Sequence, residues 1–290
     1  MDLSTVREQI VSCERCPRLR TYCARIAREK KAAHRNDEYW GRPVPGFGDP
    51  QARLLILGLA PAAHGANRTG RVFTGDGSGD FLMRALHRAG FANIPTSRHA
   101  DDGLELDDAY IAAAVRCAPP DNKPTPEELR TCQLHLEAEI GALPRLQVVV
   151  ALGKIAFDAW WRVMAACDVS LTPRPSFGHG ARYAVKSLPA LTRMSSVRRQ
   201  ADRPQVRLKP DATGRGIVKS AAGTRTNPGM SVSTLARAPC RGSHVRVVIA
   251  SYHPSRQNTN TGKLTPAMLE SVFRKARRLL SKLTTEATEM

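Results

Sequence analysis

The sequence lacks a long hydrophobic run, since none approaches the roughly 20 apolar residues that a membrane-spanning helix needs. The opening residues, Met1-Asp2-Leu3-Ser4, also lack the basic-then-apolar layout of a secretory signal. We therefore expect a cytoplasmic protein that does not enter the membrane. Because 42% of the 290 residues are hydrophobic, the chain can fill a sizeable core, which excludes wholesale disorder.

Acidic residues are scarce: 26 Asp and Glu stand against 44 Lys and Arg, a net charge of +18. The positive electrostatic potential that this charge creates favours polyanionic partners, with nucleic acid ahead of an anionic membrane surface. Lys186 to Ser243 holds twelve Lys and Arg and two Asp, a net +10, which leaves +8 for the rest. This stretch has no helical or strand periodicity, so we interpret 187–243 as a basic, disordered insertion. A dedicated DNA-binding arm is the alternative.

Short apolar runs alternate with helical patterns along the rest of the chain. Four runs indicate strands buried on both faces, as in a parallel sheet; they lie at 53–59, 146–152, 245–251 and, more weakly because alanine is common, 109–115. Helical spacing at 81–89 and 269–283, and a capping box that begins at Thr125, predict helices between and after them. We predict an α/β fold, a three-layer α/β/α domain with a central, mainly parallel four-stranded sheet, formed by residues 1–186 and 244–290.

Seven cysteines, an odd number, favour ligand or buried-thiol roles over a disulfide scaffold. Cys13 and Cys16 form a Cys-x2-Cys pair, Cys117 ends the weaker strand, and Cys132 falls on the second turn of the capped helix. Four thiolates gathered at one point suit either tetrahedral zinc or a [4Fe–4S] cluster. Unrelated buried cysteines are the alternative, and Cys23 is close enough in sequence to compete as a ligand.

A glycine-rich loop, residues 58–81, follows the first buried strand. Glycines at this point let a ligand approach the backbone at the carboxyl edge of the sheet. The loop lacks the Gly-Lys-Ser/Thr ending of a P-loop and the glycine spacing of dinucleotide-binding proteins, so neither NTP nor NAD is indicated. Asp76 stands between two glycines that leave it accessible, although it would also suit a simple turn. Phe73 suits either a stacking platform or the core.

Two more polar loops follow neighbouring strands. His253, pinned by Pro254, comes at the end of the last strand, and Asn122 lies in the loop after the strand that ends at Cys117. The carboxyl ends of parallel strands share one edge of a sheet, so these loops converge with the glycine-rich loop. Each residue alone is a weak signal, and their convergence is what predicts a site.

Together these motifs resemble the uracil-DNA glycosylase superfamily, most closely its family 5, the type-b enzymes of bacteria and archaea that carry an iron–sulfur cluster. The resemblance covers residues 5–185 and 245–282 and has no counterpart for 187–243. Its motifs are CERC at 13–16, GLAPAAHGANRTGRVFTGD at 58–76, CAPPDNKPTPEEL at 117–129 and HPSRQNTNTGKLTPAML at 253–269.

The resemblance implies hydrolysis of the N-glycosidic bond of uracil and other deaminated bases in DNA, which leaves an abasic site and initiates base excision repair. It also implies a monomer that acts on single- or double-stranded DNA. A structural [4Fe–4S] cluster would be held by Cys13, Cys16, Cys117 and Cys132, with zinc as the alternative. Two rival interpretations are a catalytically impaired DNA-binding iron–sulfur protein of the same fold and a zinc-stabilised structural module.

The resemblance also assigns the site residues. The first motif has no carboxylate or amide, so the water-handling role moves to Asp76, and Asn122 and His253 complete the catalytic set. The base pocket is assigned to Gly58, Ala60, Pro61, Ala62 and Phe73. The DNA-contacting loop is assigned to Ser255, Arg256, Gln257 and Asn258. Ala113 replaces the base-reading Asn of other relatives, which favours a broader range of bases and leaves uracil, hypoxanthine and xanthine as candidates.

Overall fold

The structure, a computed structural model, describes residues 1–167, 173–185 and 245–288. Its sheet has the strand order β1-β3-β2-β4-β6-β5. The strands are β1 Phe47–Gly48, β2 Leu54–Gly58, β3 Ala109–Ala113, β4 Val148–Leu152, β5 Arg182–Ala184 and β6 Val247–Ser251. β3, β2, β4 and β6 pair in parallel in that order. The other two strands pair antiparallel at the two edges.

The four parallel strands are the four that the apolar runs predict, and the α/β class is confirmed. The predicted number of strands was too low, because the sheet of the described residues has six. β1 and β5 contain only two and three residues, and β5 is largely exposed. Strands this short at a sheet edge need no apolar run, so the sequence carries no pattern that reveals them.

Helices cover both faces of the sheet. They are α1 Leu3–Val11, α2 Pro17–Glu29, α3 Ala66–Thr69, α4 Gly77–Arg88, α5 Pro126–Gly141, α6 Lys154–Ala166, α7 Arg256–Asn260 and α8 Pro266–Thr288, with 3-10 turns at Ala32–His34 and Pro120–Asn122. In β2, Leu54 and Ile56 enter the core that α4 and α8 cover, whereas Leu55 and Leu57 enter the core that α5 and α6 cover. This alternation gives the predicted three layers.

The capping box at Thr125 is confirmed. The Thr125 hydroxyl accepts a hydrogen bond from the Glu128 backbone N–H, and the Glu128 carboxylate accepts one from the Thr125 N–H. Because both ends of the box are satisfied, α5 begins at Pro126 and carries Cys132 towards the N-terminal cysteines. Cys167, just after α6, differs from the other described cysteines because it is disulfide-bonded.

The predicted insertion, 187–243, lies outside the described residues, and its boundaries stay a prediction. The chain on either side of it is paired: β5 lies beside β6, and the Val185 N–H donates to the Arg246 carbonyl at 2.8 Å. Within the described residues, no helix is both long and apolar enough to cross a membrane.

Candidate functional site

The predicted site residues follow the carboxyl ends of parallel strands. β2 ends at Gly58, β3 at Ala113 and β6 at Ser251, and these strands are parallel members of one sheet. Their following loops therefore leave the same edge of the sheet, which is where α/β proteins bind ligands. The structure brings Phe73, Asp76 and His253 to this edge.

Asp76 is the N-cap of α4. Its Oδ1 atom accepts hydrogen bonds from the backbone N–H groups of Ser78 and Gly79, both at 2.9 Å. Its Oδ2 atom faces Gly65, where even a Cβ atom would collide with it, and has no hydrogen-bond partner among the described residues. Burial raises the pKa of the Asp76 carboxyl, although the two N–H groups oppose that shift. One oxygen is thus fixed, and the other is available to a water molecule.

Phe73 and His253 face each other across the site. Their ring centroids lie 5.7 Å apart with the planes tilted by 31°. Phe73 has a positive φ of 52°, an uncommon conformation for a residue with a side chain. Its ring covers Gly58, where a Cβ atom would come within 2.6 Å of the Phe73 Cε2 atom. The glycine at the end of β2 is therefore required by the position of the ring.

His253 is held by its backbone and left unpaired at its ring. The Asn258 side-chain amide donates to the His253 carbonyl at 2.8 Å. Neither ring nitrogen has a hydrogen-bond partner in the part of the chain that the structure describes. Burial lowers the pKa of His253 to about 4, although part of its surface is accessible. The ring is therefore neutral at pH 7 and can donate one N–H hydrogen bond.

Two arginines that the sequence did not single out hold the loop before Asp76. Arg68 donates to the Gly75 carbonyl at 3.0 Å and pairs with Asp37 at 2.8 Å. Arg71 pairs with Asp102 at 2.6 Å. Both guanidinium groups are nearly buried, so their pairing fixes the loop against the rest of the domain. The only sequence signal is two arginines within a glycine-rich loop, because their partners come from distant segments without a motif.

Asp76 also borders an open cavity of about 450 Å³, whose lining includes Arg68, Asp80 and His99. The segment after His253 lies beside it: Arg256 lies near Gly77, and its charge opposes part of the rise in the pKa of Asp76 that burial causes. Arg256 and Gln257 are exposed on α7. Ser255 caps α7 by accepting from the Asn258 N–H at 3.4 Å. Of the predicted DNA-contacting loop, Ser255 and Asn258 thus hold the loop, while Arg256 and Gln257 face solvent.

Asn122 is not brought into contact with Asp76 or His253. Its side chain is exposed, and it lies in the 3-10 turn after β3 with φ of 56°. The neighbouring Asp121 has the same left-handed conformation, with φ of 54°. The turn places Asn122 beyond the strand end, and it forms no hydrogen bond to the other two predicted catalytic side chains.

The remaining predicted pocket residues lie between this edge and the cysteines. Pro61 is buried, and Ala62 lies against Gly65, the neighbour of Asp76. Ala60 packs against a cluster that contains Cys117 and Cys132. The first motif therefore touches the Asp76 loop at one end and the cysteine cluster at the other.

The four predicted ligand cysteines line one cavity. Cys13, Cys16, Cys117 and Cys132 all border it, and all four are free thiols. Cys23 is buried beside them, but its thiol donates to the Ala118 carbonyl at 3.6 Å. The structure thus places the four predicted side chains around one space, and Cys23 is not part of its lining.

The environment of these thiols disfavours an isolated charge. Burial raises the pKa of Cys132 to about 12 and also raises the pKa of Cys16. The Arg116 backbone N–H donates to the Cys132 sulfur at 3.3 Å. Among the described residues, no group of three or more His, Cys, Asp or Glu side chains is arranged so that it could hold a metal ion. The four thiols surround a space without converging on one point.

Comparison with known proteins identifies the family. Residues 45–277 match the model of the uracil DNA glycosylase superfamily. A type-5 uracil-DNA glycosylase of Thermus thermophilus is 41% identical over 279 residues, which is 96% of this chain and 99% of the relative. Proteins with the same description are 41% identical in Mycobacterium bovis, over 92% of this chain and 78% of the relative. One from Pyrobaculum aerophilum is 37% identical, over 92% of this chain and 89% of the relative.

The family match contains the glycine-rich loop, the last two predicted ligand cysteines and the histidine loop, and the curated relatives align along nearly the whole chain. The family that the sequence motifs indicated and the observed fold therefore agree. The chain belongs to the uracil-DNA glycosylase superfamily, and within it to the type-5 uracil-DNA glycosylases.

Proposed function

We infer that the chain is a DNA N-glycosylase, which hydrolyses the N-glycosidic bond of uracil in DNA and so initiates base excision repair. One observation supports this inference in a chain of this family. The Asp76 carboxylate, with one oxygen hydrogen-bonded and the other without a partner among the described residues, lies with the neutral His253 and the Phe73 ring at one edge of the sheet. Hydrolysis of this bond needs a water-holding group, a donor to the departing base and a surface that receives the base.

The base must first leave the helical stack. An enzyme that acts on a base in duplex DNA extrudes it, at a cost of about a few kcal/mol that is lowest for mismatches. Uracil that arises by deamination of cytosine lies in a mismatch, so the cost itself contributes to selectivity. We assign the extruded base to the Phe73 ring and the backbone of Gly58, Ala60, Pro61 and Ala62. Aromatic stacking of this kind contributes about 1–3 kcal/mol per base.

His253 is proposed to stabilise the departing base. As the glycosidic bond breaks, the bonding electrons move to the base, and negative charge develops on its oxygen. The neutral imidazole donates its N–H to that oxygen and keeps its own proton. A preorganised donor of this kind contributes about 3–4 kcal/mol to transition-state stabilisation.

Asp76 is proposed to handle the water. Its Oδ2 atom accepts a hydrogen bond from the water and takes its proton as the water oxygen attacks C1′ of the sugar. The carboxylate charge also favours the cationic, oxocarbenium-like sugar. Asn122 is proposed to contact the base or the water once DNA is bound, since it lies on the turn that follows β3.

Arg256 and Gln257 are proposed to reach the DNA beside the extruded base, with Ser255 and Asn258 fixing their helix. These contacts and the general basic charge neutralise phosphates, so binding should weaken steeply with salt. Ala113 pairs with Gly58 across β2 and β3 and presents a methyl group where other relatives have an amide. A pocket without that amide rejects other deaminated bases less strongly, so hypoxanthine and xanthine are proposed as further substrates.

Cys13, Cys16, Cys117 and Cys132 are proposed to hold a [4Fe–4S] cluster. Four free thiols around one cavity are the donor set that such a cluster needs. A cluster would take these four thiolates as ligands around the space that they line, whereas zinc would need all four of them about 2.3 Å from one ion. The cluster's role would be structural, since Ala60 of the base pocket packs against these cysteines. A cytoplasmic location and a monomeric state stay predictions.

Base release tests the function. The purified protein is incubated with duplex oligonucleotides that carry a single uracil or hypoxanthine, and abasic sites are read by alkaline strand cleavage. Iron, sulfide and absorbance near 400 nm are measured on the same preparation, because zinc is colourless. Release of uracil is expected. DNA binding without release, in protein that contains the cluster, would leave an impaired binding protein and refute the enzymatic role.

A further inference from the structure

His135 is a buried polar side chain that the proposed mechanism does not use. It lies on α5 one turn beyond Cys132, and only 6% of it is exposed. Its Nε2 atom is buried and has no hydrogen-bond partner among the described residues. A buried polar atom without a partner costs about 1–3 kcal/mol, so native structures rarely leave one unexplained.

The cavity that His135 lines is the one lined by the four thiols. Arg15, Arg20 and Arg116 border the same cavity. Arg116 is paired with the buried Glu139 at 2.6 Å and Arg20 with Glu14 at 3.2 Å, so these arginines offset only part of the negative charge that a cluster with four thiolates would carry.

The chemistry of the ring fits such an occupant. An imidazole has two ring nitrogens, and at least one of them carries an N–H that can donate a hydrogen bond. A cluster would offer sulfur acceptors but no donor, so a ring nitrogen that faces the cavity would have to carry the proton.

We propose that His135 donates its ring N–H to a sulfur of the [4Fe–4S] cluster held by Cys13, Cys16, Cys117 and Cys132, and thereby raises the cluster's reduction potential. The proposal rests on the cluster assignment made above. Reduction adds negative charge to the sulfurs, so a hydrogen bond to sulfur stabilises the reduced state more than the oxidised one. His135 would tune the cluster without ligating it.

The test measures the midpoint potential by EPR-monitored redox titration of the full chain. His135→Phe removes the donor and keeps an aromatic ring, and His135→Met serves as the second non-donor variant if the Phe variant does not assemble. His135→Gln keeps an N–H donor. His87→Phe, at an exposed histidine of α4, is the matched control.

We expect the non-donor variants to lose about tenfold in the equilibrium constant for one-electron reduction, a fall of 59 mV. The non-donor variants should also lose their absorbance near 400 nm faster under ferricyanide, and His135→Gln should recover part of both changes. In the wild type, reduced protein exchanged into D2O should show a deuterium coupling at the cluster that His135→Phe removes.

Three results would overturn the proposal. Non-donor variants with wild-type iron content, potential and bleaching rate would show that the ring does not contact the cluster. A strong ¹⁴N coupling from His135 would show that it is a ligand. Protein that releases uracil but contains no iron or sulfide would refute the cluster and the role of His135 together, while the glycosylase function would stand.

Discussion

Asp76 combines two roles that substitution can separate. It caps α4 through Oδ1, and the proposed chemistry uses Oδ2. Asp76→Asn keeps an oxygen that can accept from Ser78 and Gly79 but removes the charge and the proton acceptor. Asp76→Ala removes the cap as well. The two variants should therefore show the same loss of activity and different losses of stability.

The expected loss of activity is much larger than the expected loss of stability. Loss of general-base assistance lowers the rate of base release about 10²–10⁴-fold in both variants. Loss of an N-cap side chain costs about 1 kcal/mol of unfolding free energy. For a chain of this size that lowers Tm by about 2–4 °C, and only in Asp76→Ala. The Asn variant should melt at or slightly above the wild-type Tm, because burial raises the pKa of Asp76 and its charge therefore lowers the stability of the fold at pH 7.

The acid limb of the pH profile gives an independent check. Burial raises the pKa of Asp76 above the ordinary value of 3.8, and the carboxylate must be ionised to accept a proton. The wild-type rate should therefore fall as the pH drops through this raised pKa, and the residual rate of Asp76→Asn should not show that limb.

Single-turnover base release measures the loss of activity, and thermal unfolding measures the loss of stability. Asp2→Asn serves as the control, since Asp2 is an exposed N-cap, that of α1, to which no role in the site is assigned, and its variant should retain full activity. Asp76→Asn with a wild-type rate would refute the assignment of the water-handling role. Equal Tm losses in Asp76→Asn and Asp76→Ala would refute the separation of cap and catalysis.

Four further outcomes are expected. Asn258→Ala removes the hydrogen bond to the His253 carbonyl and should lower kcat about fivefold, the equivalent of one hydrogen bond of about 1 kcal/mol. The control Asn260→Ala, at an exposed neighbour, should leave kcat unchanged. Equal effects of the two substitutions would refute the positioning role of Asn258. Gly58→Ala should displace the Phe73 ring and weaken uracil release without unfolding, measured as KM and kcat. The pKa of His253 falls from 6.5 in the unfolded chain to about 4 in the fold, so acidification between these values should destabilise the wild type, and His253→Gln should weaken that dependence in pH-dependent melts. A short Gly-Ser link in place of 187–243 should preserve folding and base release; loss of both would show that the segment is required.

The parallel sheet was predictable because its strands are buried on both faces. Such strands need consecutive β-branched and aliphatic residues, as in Val148–Leu152, and such a run is visible in sequence. The alanine-rich Ala109–Ala113 is a strand for the same reason of burial, although alanine itself favours helix. Phe47–Gly48 and Arg182–Ala184 were missed because edge strands of two or three residues need only hydrogen bonding.

The candidate site was predictable where it depends on the strand ends. Parallel strands place their carboxyl ends at one edge, so the loops that carry Asp76 and His253 were expected to meet there, and the contact between the Phe73 and His253 rings shows that they do. The ion pairs that hold the loop before Asp76 were not predictable in this way. Arg71 finds Asp102 about 30 residues along the chain, and no spacing rule connects two side chains that meet through irregular loops.

The first motif links the two features that the sequence suggested separately. Ala60 packs on the cysteine cluster, and Asn67 donates through its side-chain amide to the Cys23 carbonyl at 3.4 Å. The same loop then reaches Gly65, against which Asp76 is packed. The Ser78 and Gly79 N–H groups hold Oδ1 of Asp76, and the contact with Gly65 limits where Oδ2 can lie. We therefore expect a disturbance at the cysteines to reach the carboxylate through the six residues 60–65.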